Sequence, residues 1–317
     1  MTLLRDLLPG TMLLLAVLAG MIWLPGDHRL PMEILLVFAM AQGWNLLCGY
    51  AGLLSFGHQA FVGLGAYALF LTMNDLGLPL YAGLAAGALA AVLAAALIAL
   101  LLRNLRDAYF SIGIWVVAEV IRLLFAQWNA VGSSRGLMLD ASRLSLSTFA
   151  DTVFWLALAL ALATQIAVFA LLRSRFGLGL MATRDNDVAA ASVGIDARRS
   201  RFVAFVLSAL VCGLAGGIYY LSVLYVDPTG AFDLDWQIRI LFIVIIGGVG
   251  TLEGPIIGTL VYFALREVFQ GNGEMFLIAQ GAIALVVMLF APRGIWGVVE
   301  GRTGWQIFPT RWRAGWA

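Results

Sequence analysis

Long apolar blocks dominate the chain, separated by short islands of Pro, Gly and charge, and strong alternation of apolar with polar positions is absent. A hydrocarbon core about 30 Å thick takes roughly 20 apolar residues per helix. Stretches such as Leu80 to Leu102 and Phe202 to Val226 supply that length repeatedly, so the pattern predicts membrane helices and not a strand barrel. The candidate spans are 9–24, 31–49, 54–73, 79–102, 108–128, 150–172, 202–225, 238–252, 255–270 and 275–291. The two that flank GGVGTLEGP, Gly247 to Pro255, are short for a full crossing and are equally compatible with a re-entrant pair. The expected fold is all-α: a polytopic helical membrane protein of about ten transmembrane or re-entrant helices, with breaks where glycines cluster. Residues 1–300 read as a single transmembrane domain and 301–317 as a cytoplasmic tail.

Composition sharpens this picture. The chain is 62% hydrophobic and 12% charged, with a mean hydropathy of +0.96, outside the range of soluble domains. All 19 basic residues are Arg, so the chain has no P-loop of its own and no Schiff-base lysine. Cys48 and Cys212 sit in apolar runs and read as small buried hydrophobes. A net charge of +1 gives no case for nucleic acid. Trp23, Leu24 and Pro25 make a poor cleavage site, so the first span is expected to be retained. If the loop from Arg173 to Arg201 is cytoplasmic, strict alternation puts both termini inside. Thirteen Arg then fall inside and six outside, as the positive-inside rule requires.

Small residues four apart, Gly83 with Gly87 and Ala209 with Gly213 and Gly217, mark faces where helices can approach closely. The polar stretch MATRDNDVAAASVGIDARRSRF, Met181 to Phe202, reads as a short amphipathic cytoplasmic helix. Thr183 or Asp185 would cap it, Asp185 and Asp187 would favour its N-terminal end, Ala189 to Ala191 are strong helix formers, and Gly194 would stop it. Val188, Ser192 and Ile195 would share one face, small enough to enter a groove on another protein. Its Arg cluster also fits a solvated loop that only enforces topology.

Further along, Gly49, Gly52, Gly57, Gly63 and Gly65 invite a broken helix, and Asn45, Ser55, His58 and Gln59 cluster there as candidates for lining a solute path. The same glycines also suit tight packing, with His58 a satisfied interior side chain. Glu119 lies in an apolar run with Arg122 at i+3, so an intrahelical ion pair facing the bundle is geometrically available. Arg122, near the outer interface, could also snorkel, which favours structural pairing. Glu253 sits in the Gly-rich turn, with its role open. GSSRG, Gly132 to Gly136, matches a nucleophile pattern but lacks the strand, turn, helix and His that the chemistry requires. A loop that contacts an external protein or closes an outer gate suits it better.

Three stretches together resemble one family. GWNLLCGYAGLLSFGHQAFVGLGAYA, Gly43 to Ala68, is similar to a signature of the permeases of Liv-type ABC importers of branched-chain amino acids. YFSIGIWVVAEVIR, Tyr109 to Arg122, resembles their fifth-helix motif. IIGGVGTLEGPIIG, Ile245 to Gly258, and LFAPRGIWG, Leu289 to Gly297, resemble their closing elements. The long lead and the Y-F-x-I stretch look more like the LivM-type partner than the LivH-type one.

The resemblance implies a multi-pass permease of the bacterial inner membrane, paired with a second permease, two cytoplasmic ABC ATPases and an external solute-binding protein. It also implies that VAAASVG, Val188 to Gly194, stands where such permeases carry an E-A-A-x-x-x-G docking element, with Val in place of Glu. The ATPase-coupling set is then Arg184, Asp187, Val188, Ala189, Ala190 and Gly194, and the pathway candidates are Asn45, Ser55, His58, Gln59 and Glu119. No catalytic residue, cofactor or metal is expected, and alternating access driven by the partners' ATP hydrolysis would move branched-chain or related amino acids. The same importer class acting on urea, short amides or sugars is the alternative. An ATP-independent carrier is a more distant one, with only His58, Glu119 and Glu253 available as a relay.

Overall fold

The computed structural model describes residues 28–105, 107–140, 149–304 and 307–308, so the expected span 9–24 lies outside the described residues. Helix α1, Arg29–Asn45, runs into a single π-helical turn, Leu46–Tyr50. A non-helical stretch, 51–57, leads to α2, His58–Asn74. Helix α3, Leu80–Leu101, starts directly after Pro79 and is built almost wholly of Ala and Leu, strong helix formers with no interior Pro. Helix α4, Asp107–Gln127, is followed by two 3-10 turns, Asn129–Val131 and Ser133–Arg135, and strand β1, Leu137–Met138. Then come α5, Phe149–Leu172; α6, Arg175–Asp185; α7, Asp187–Ser192; and α8, Ala197–Val223. Strand β2, Tyr225–Val226, pairs antiparallel with β1 and is followed by α9, Pro228–Ala231. The chain closes with α10, Leu234–Gly247; α11, Gly254–Val268; α12, Gly273–Phe290; and α13, Gly294–Thr303.

Six segments of the described residues are long and apolar enough to cross a membrane. Helices α10 and α11 are not among them. At 14 and 15 residues they extend only about 22 Å, and they fold back on each other as a hairpin. Glycines make that return possible, because a Cβ on Gly247 would overlap the Gly254 backbone and one on Gly258 would overlap that of Ile243.

Helix α1 is the axis of the fold, with 83% of its most apolar stretch buried, packed by α5, α8 and the α10–α11 hairpin. Helices α2, α3 and α8 form a second trio, and the expected small-residue faces lie at their crossing. A Cβ on Gly65 would run into the Gly213 backbone, and one on Gly87 would come within 2.7 Å of the Gly65 carbonyl. Backbones this close gain van der Waals contact that larger side chains would forbid.

The two ends differ in chemistry. At one end, Glu33 of α1 accepts from Arg239 of α10 at 3.2 Å and from Arg266 of α11 at 2.7 Å, while Arg239 also holds Asp235. The β1–β2 pair lies at this end too, and Asn74 at the end of α2 donates to the Met138 carbonyl. At the opposite end lie the π-turn, α6–α7, the turn 248–253 and the start of α13, where Gly294 abuts Gly248. In the stretch after α13, Phe308 is buried against Phe169 and its N–H donates to Glu253 at 2.8 Å.

One local expectation is corrected. Thr183 and Asp185 cap no helix, because both lie inside α6, where the Thr183 hydroxyl donates to the Gly179 carbonyl. Ser174 caps α6 instead, and the extended backbone of Asn186 ends it and starts α7. The Asn186 side chain accepts from the N–H groups of Val188 and Ala189, both at 3.0 Å, and so takes the capping role expected of Thr183 or Asp185.

Candidate functional site

The break between α1 and α2 is held by side chains rather than by helix hydrogen bonds. Trp44 Nε1 donates to the Ser55 carbonyl at 2.8 Å, and the Ser111 hydroxyl of α4 donates to the Leu54 carbonyl at 2.8 Å. Backbone carbonyls inside a membrane protein need such partners wherever the helix is interrupted. His58 then opens α2, fully buried, with Nδ1 3.0 Å from the Ser55 hydroxyl and Nε2 2.7 Å from the Ser208 hydroxyl of α8. Its backbone N–H donates to Gln237 of α10. A neutral imidazole has one donor and one acceptor nitrogen, and both are occupied here. His58 is therefore a rivet joining α2, α8 and α10 in this state, and it offers a solute no free ring nitrogen.

Asn45 is equally committed. Its Oδ1 accepts from the Gly250 N–H at 2.8 Å and its Nδ2 donates to the Thr251 carbonyl at 2.7 Å, so α1 grips the turn of the α10–α11 hairpin. Gly49, one turn further, leaves no room for a Cβ beside Gly250 and Asn45. The structure thus divides the expected path cluster in two: Asn45 at the hairpin turn, and Ser55 with His58 at the start of α2. Gln59 is buried, and its Oε1 meets no partner among the described residues.

Arginines from the polar segment reach the same place. Arg184, near the end of α6, donates from Nη1 to the Gly49 carbonyl at 2.8 Å. Arg201, in the first turns of α8, grips Asp187 with both terminal nitrogens at 2.8 and 2.9 Å and sends Nε towards the Ala51 carbonyl at 3.4 Å. Helix α7 is thereby fixed to α8 while its other face stays open. Val188 and Val193 are more than 70% exposed, Ala189, Ala191 and Ser192 are exposed, and a Cβ on Gly194 would meet nothing within 4 Å. Ala190 is the exception, only 2% exposed and turned into the body.

Glu119 and Arg122 form the expected i,i+3 pair, with Arg122 Nε 2.9 and 3.0 Å from the two carboxylate oxygens. The pair does not face the bundle of this chain: the side chains are 47% and 29% exposed, on the outward stripe of α4 with Ile112, Val116 and Leu123. Glu253 is buried in the hairpin turn. Burial holds its carboxyl above the ordinary value, and the Phe308 N–H works in the opposite direction. In GSSRG the Ser134 hydroxyl is spent on the Ala126 carbonyl and that of Ser133 on Asn129, a bonded loop with no His beside it.

Sequence reasoning missed Trp44, Ser111, Ser208 and Gln237, which complete the break, and Gln42 with Gln165, a buried pair at 2.8 Å between α1 and α5. Polar residues within apolar blocks were the available signal, since each must find a partner inside the protein. The Glu33–Arg239–Arg266 cluster shows the limit of that signal, because Glu33 stands more than 200 residues from both arginines and nothing local pairs them.

The arrangement is that of a polytopic all-α membrane protein, with an interrupted helix at its centre and an exposed polar helix at one end. The sequence pattern described as branched-chain amino acid transport system / permease component matches residues 32–292, and the chain belongs to that family. It is 25% identical over 283 residues to the high-affinity branched-chain amino acid transport system permease protein LivM of Escherichia coli K12, covering 81% of this chain and 66% of that protein. It is 31% identical over 140 residues to the probable branched-chain amino acid transport permease protein LivH of Methanocaldococcus jannaschii, covering 40% and 42% of the two chains. The autoinducer 2 import system permease protein LsrC of Klebsiella pneumoniae is 28% identical over 165 residues, covering 46% of this chain and 47% of that one. The chain therefore spans just under two thirds of the length of the Escherichia coli relative. No solved structure matches it significantly.

Proposed function

We propose that the chain is the LivM-type permease subunit of an ATP-binding cassette importer that carries branched-chain or related amino acids across a bacterial inner membrane. It acts with a second permease, two cytoplasmic ATPases and an external solute-binding protein, and both its termini lie in the cytoplasm. The observation that carries this reading is α7, a capped helix anchored through Asp187 to Arg201 on one side and presenting Val188, Ala189, Ala191 and Ser192 on the other. A small-residue helix face held rigidly on a membrane body fits a groove on a partner. The chain's lack of Lys agrees, since ATP hydrolysis must come from another protein. The names of the relatives supply the solute class.

In this mechanism ATP-driven closure of the ATPase pair pushes α6–α7, the bundle reopens to the other side, and selectivity lies mostly in the binding protein. Residues 1–300 act as one membrane domain. The exposed Glu119–Arg122 stripe faces the second permease and the path between the two.

The test is the complex reconstituted in lipid vesicles. Val188→Asp and Ala189→Trp are expected to abolish leucine uptake and release the ATPase while the permease still inserts. Full uptake in both variants would remove the docking assignment. Ala190→Trp is not a docking test, because that side chain points into the body. The likeness to an autoinducer 2 permease makes a non-amino-acid solute the competing outcome of the same uptake assay.

A further inference from the structure

A helix C-terminus leaves its last four carbonyls without intrahelical partners and carries a partial negative charge, so cations bind there favourably. At the end of α1 the carbonyls of Gly49 and Ala51 are met by Arg184 and Arg201, both from the polar segment that carries α7. The end of the central helix is thus held by the same segment that faces outward as the docking helix. Arg184 also lies along Gly52, whose Cβ position is 3.0 Å from Arg184 Cγ, so the strut is seated on both sides of Ala51.

The turn that receives this strut is π-helical, Leu46–Tyr50. Such turns are rare, hold one residue more than the α-turn they replace, and can return to α geometry by a one-residue shift of register. A shift here would move two things at once. Asn45, immediately before the turn, clamps Gly250 and Thr251 of the α10–α11 hairpin. Residues 51–57, immediately after it, lead through Ser55 to His58 and from there to Ser208 and Gln237. At the π-turn the docking segment, the hairpin and the broken helix meet.

We propose that Arg184 is a positioning residue that transmits movement of the docking segment to the π-turn, and that a register shift of this turn carries the movement into the α10–α11 hairpin and α2. This rests on the reading of α7 as the ATPase-docking helix. It goes further in naming the route by which that movement enters the membrane domain. A purely structural cap would hold Gly49 in the same way in every nucleotide state, whereas a strut would not.

The chain carries its own reporter. Cys48 lies in the π-turn and is half-buried, while Cys212 is fully buried in α8. The experiment measures the alkylation rate of Cys48 by N-ethylmaleimide in the complete complex, read by mass spectrometry of the permease, without nucleotide and with ATP and vanadate. The expected change is about fivefold or more, the lower end of coupling factors between linked sites. Arg184→Ala is expected to bring that ratio below about twofold, and Arg184→Lys, which keeps the cation, to retain most of it.

Equal rates in the two states of a wild-type complex that retains its ATPases and hydrolyses ATP before vanadate is added would overturn the proposal and leave docking intact. A full nucleotide response in Arg184→Ala would overturn it too. A permease that never retains the ATPases would overturn both readings together. If Arg184→Ala does not assemble, Arg184→Gln and the wild-type comparison still decide.

Discussion

Helices α1 and α4 are similar as strings of residues and opposite as parts of the molecule. Both are apolar enough to span a membrane, yet the most apolar stretch is 83% buried in α1 and 22% buried in α4. Polar side chains on α1 find their partners inside the chain: the Gln42 amide donates to Gln165, Asn45 grips the hairpin turn and Glu33 accepts from two arginines. Gln42 Oε1 is buried and without a partner among the described residues. The polar pair on α4 is completed only by itself and stays open on a stripe of Ile, Val and Leu. Exposing an ionisable pair to lipid is costly, so the α4 stripe fits the protein surface or wet path of the proposed second permease. Hydropathy places a helix in the membrane, and what satisfies its polar groups tells whether it is core or contact surface.

The strongest way to break this comparison is to overfill the end of α1. Gly49→Val drives a branched side chain into the Gly250 backbone and Asn45. The expected loss is about 3 kcal/mol or more, at the upper end of overpacking costs. It would appear as a lowered or lost thermal transition of the purified permease in detergent. Unchanged melting would show that the α1–hairpin contact is not part of the stable core. Asn45→Ala is milder. It strands the Gly250 N–H and the Thr251 carbonyl, for a loss of about 2 kcal/mol by the same assay.

The α4 side predicts the reverse pattern. Glu119→Gln should leave the melting of the isolated permease within about 0.5 kcal/mol of wild type, because the pair is half-exposed and such pairs contribute little. The effect is expected in the assembled transporter, as weaker pairing of the two permeases or slower uptake, and Glu119→Arg with Arg122→Glu should recover part of it. If the single variant lowers the stability of the isolated chain as much as Asn45→Ala does, then α4 is core and the contrast fails.

How much of this was legible beforehand follows the same division. Where a long apolar block is bounded by polar residues, the boundaries fall close: 79–102 is expected and Leu80–Leu101 forms, whereas the expected 238–252 forms four to five residues earlier, as Leu234–Gly247. The glycine faces were legible as well, because spacing alone puts Gly83 and Gly87, or Gly213 and Gly217, on one side. What the sequence hid is partnership. Nothing near His58 announces Ser208, 150 residues away, and nothing near Asn45 announces Gly250. The polar segment shows the same limit on a small scale, since helix propensity located it but the cap fell to Asn186, whose extended backbone no propensity revealed. Glu119 misled in the opposite sense: its pairing with Arg122 was readable at i+3, but the direction of that face depends on how the whole bundle packs.

The smallest effect sits at the edge of the α1 junction and turns on a sign. Glu253 is buried in the hairpin turn, and its carboxyl is held above the usual 4.5, first by burial, against the pull of the Phe308 N–H, with Glu300 adding repulsion. A carboxyl that binds its proton more tightly in the folded chain stabilises fully below its unfolded value, and that contribution is lost as pH rises through the folded one. Wild-type stability should therefore decline across the weakly acidic range. Glu253→Gln stays neutral and keeps an acceptor oxygen for Phe308, so its melting curve should be flat over the same range, and the two should diverge on going to neutral pH with the variant on top. If the wild type instead gains on the variant as pH rises, the hydrogen bond from Phe308 outweighs burial. The turn that Asn45 grips would then be a site that prefers a charge, and the buried end of α1 would tolerate the kind of group that otherwise separates α4 from it.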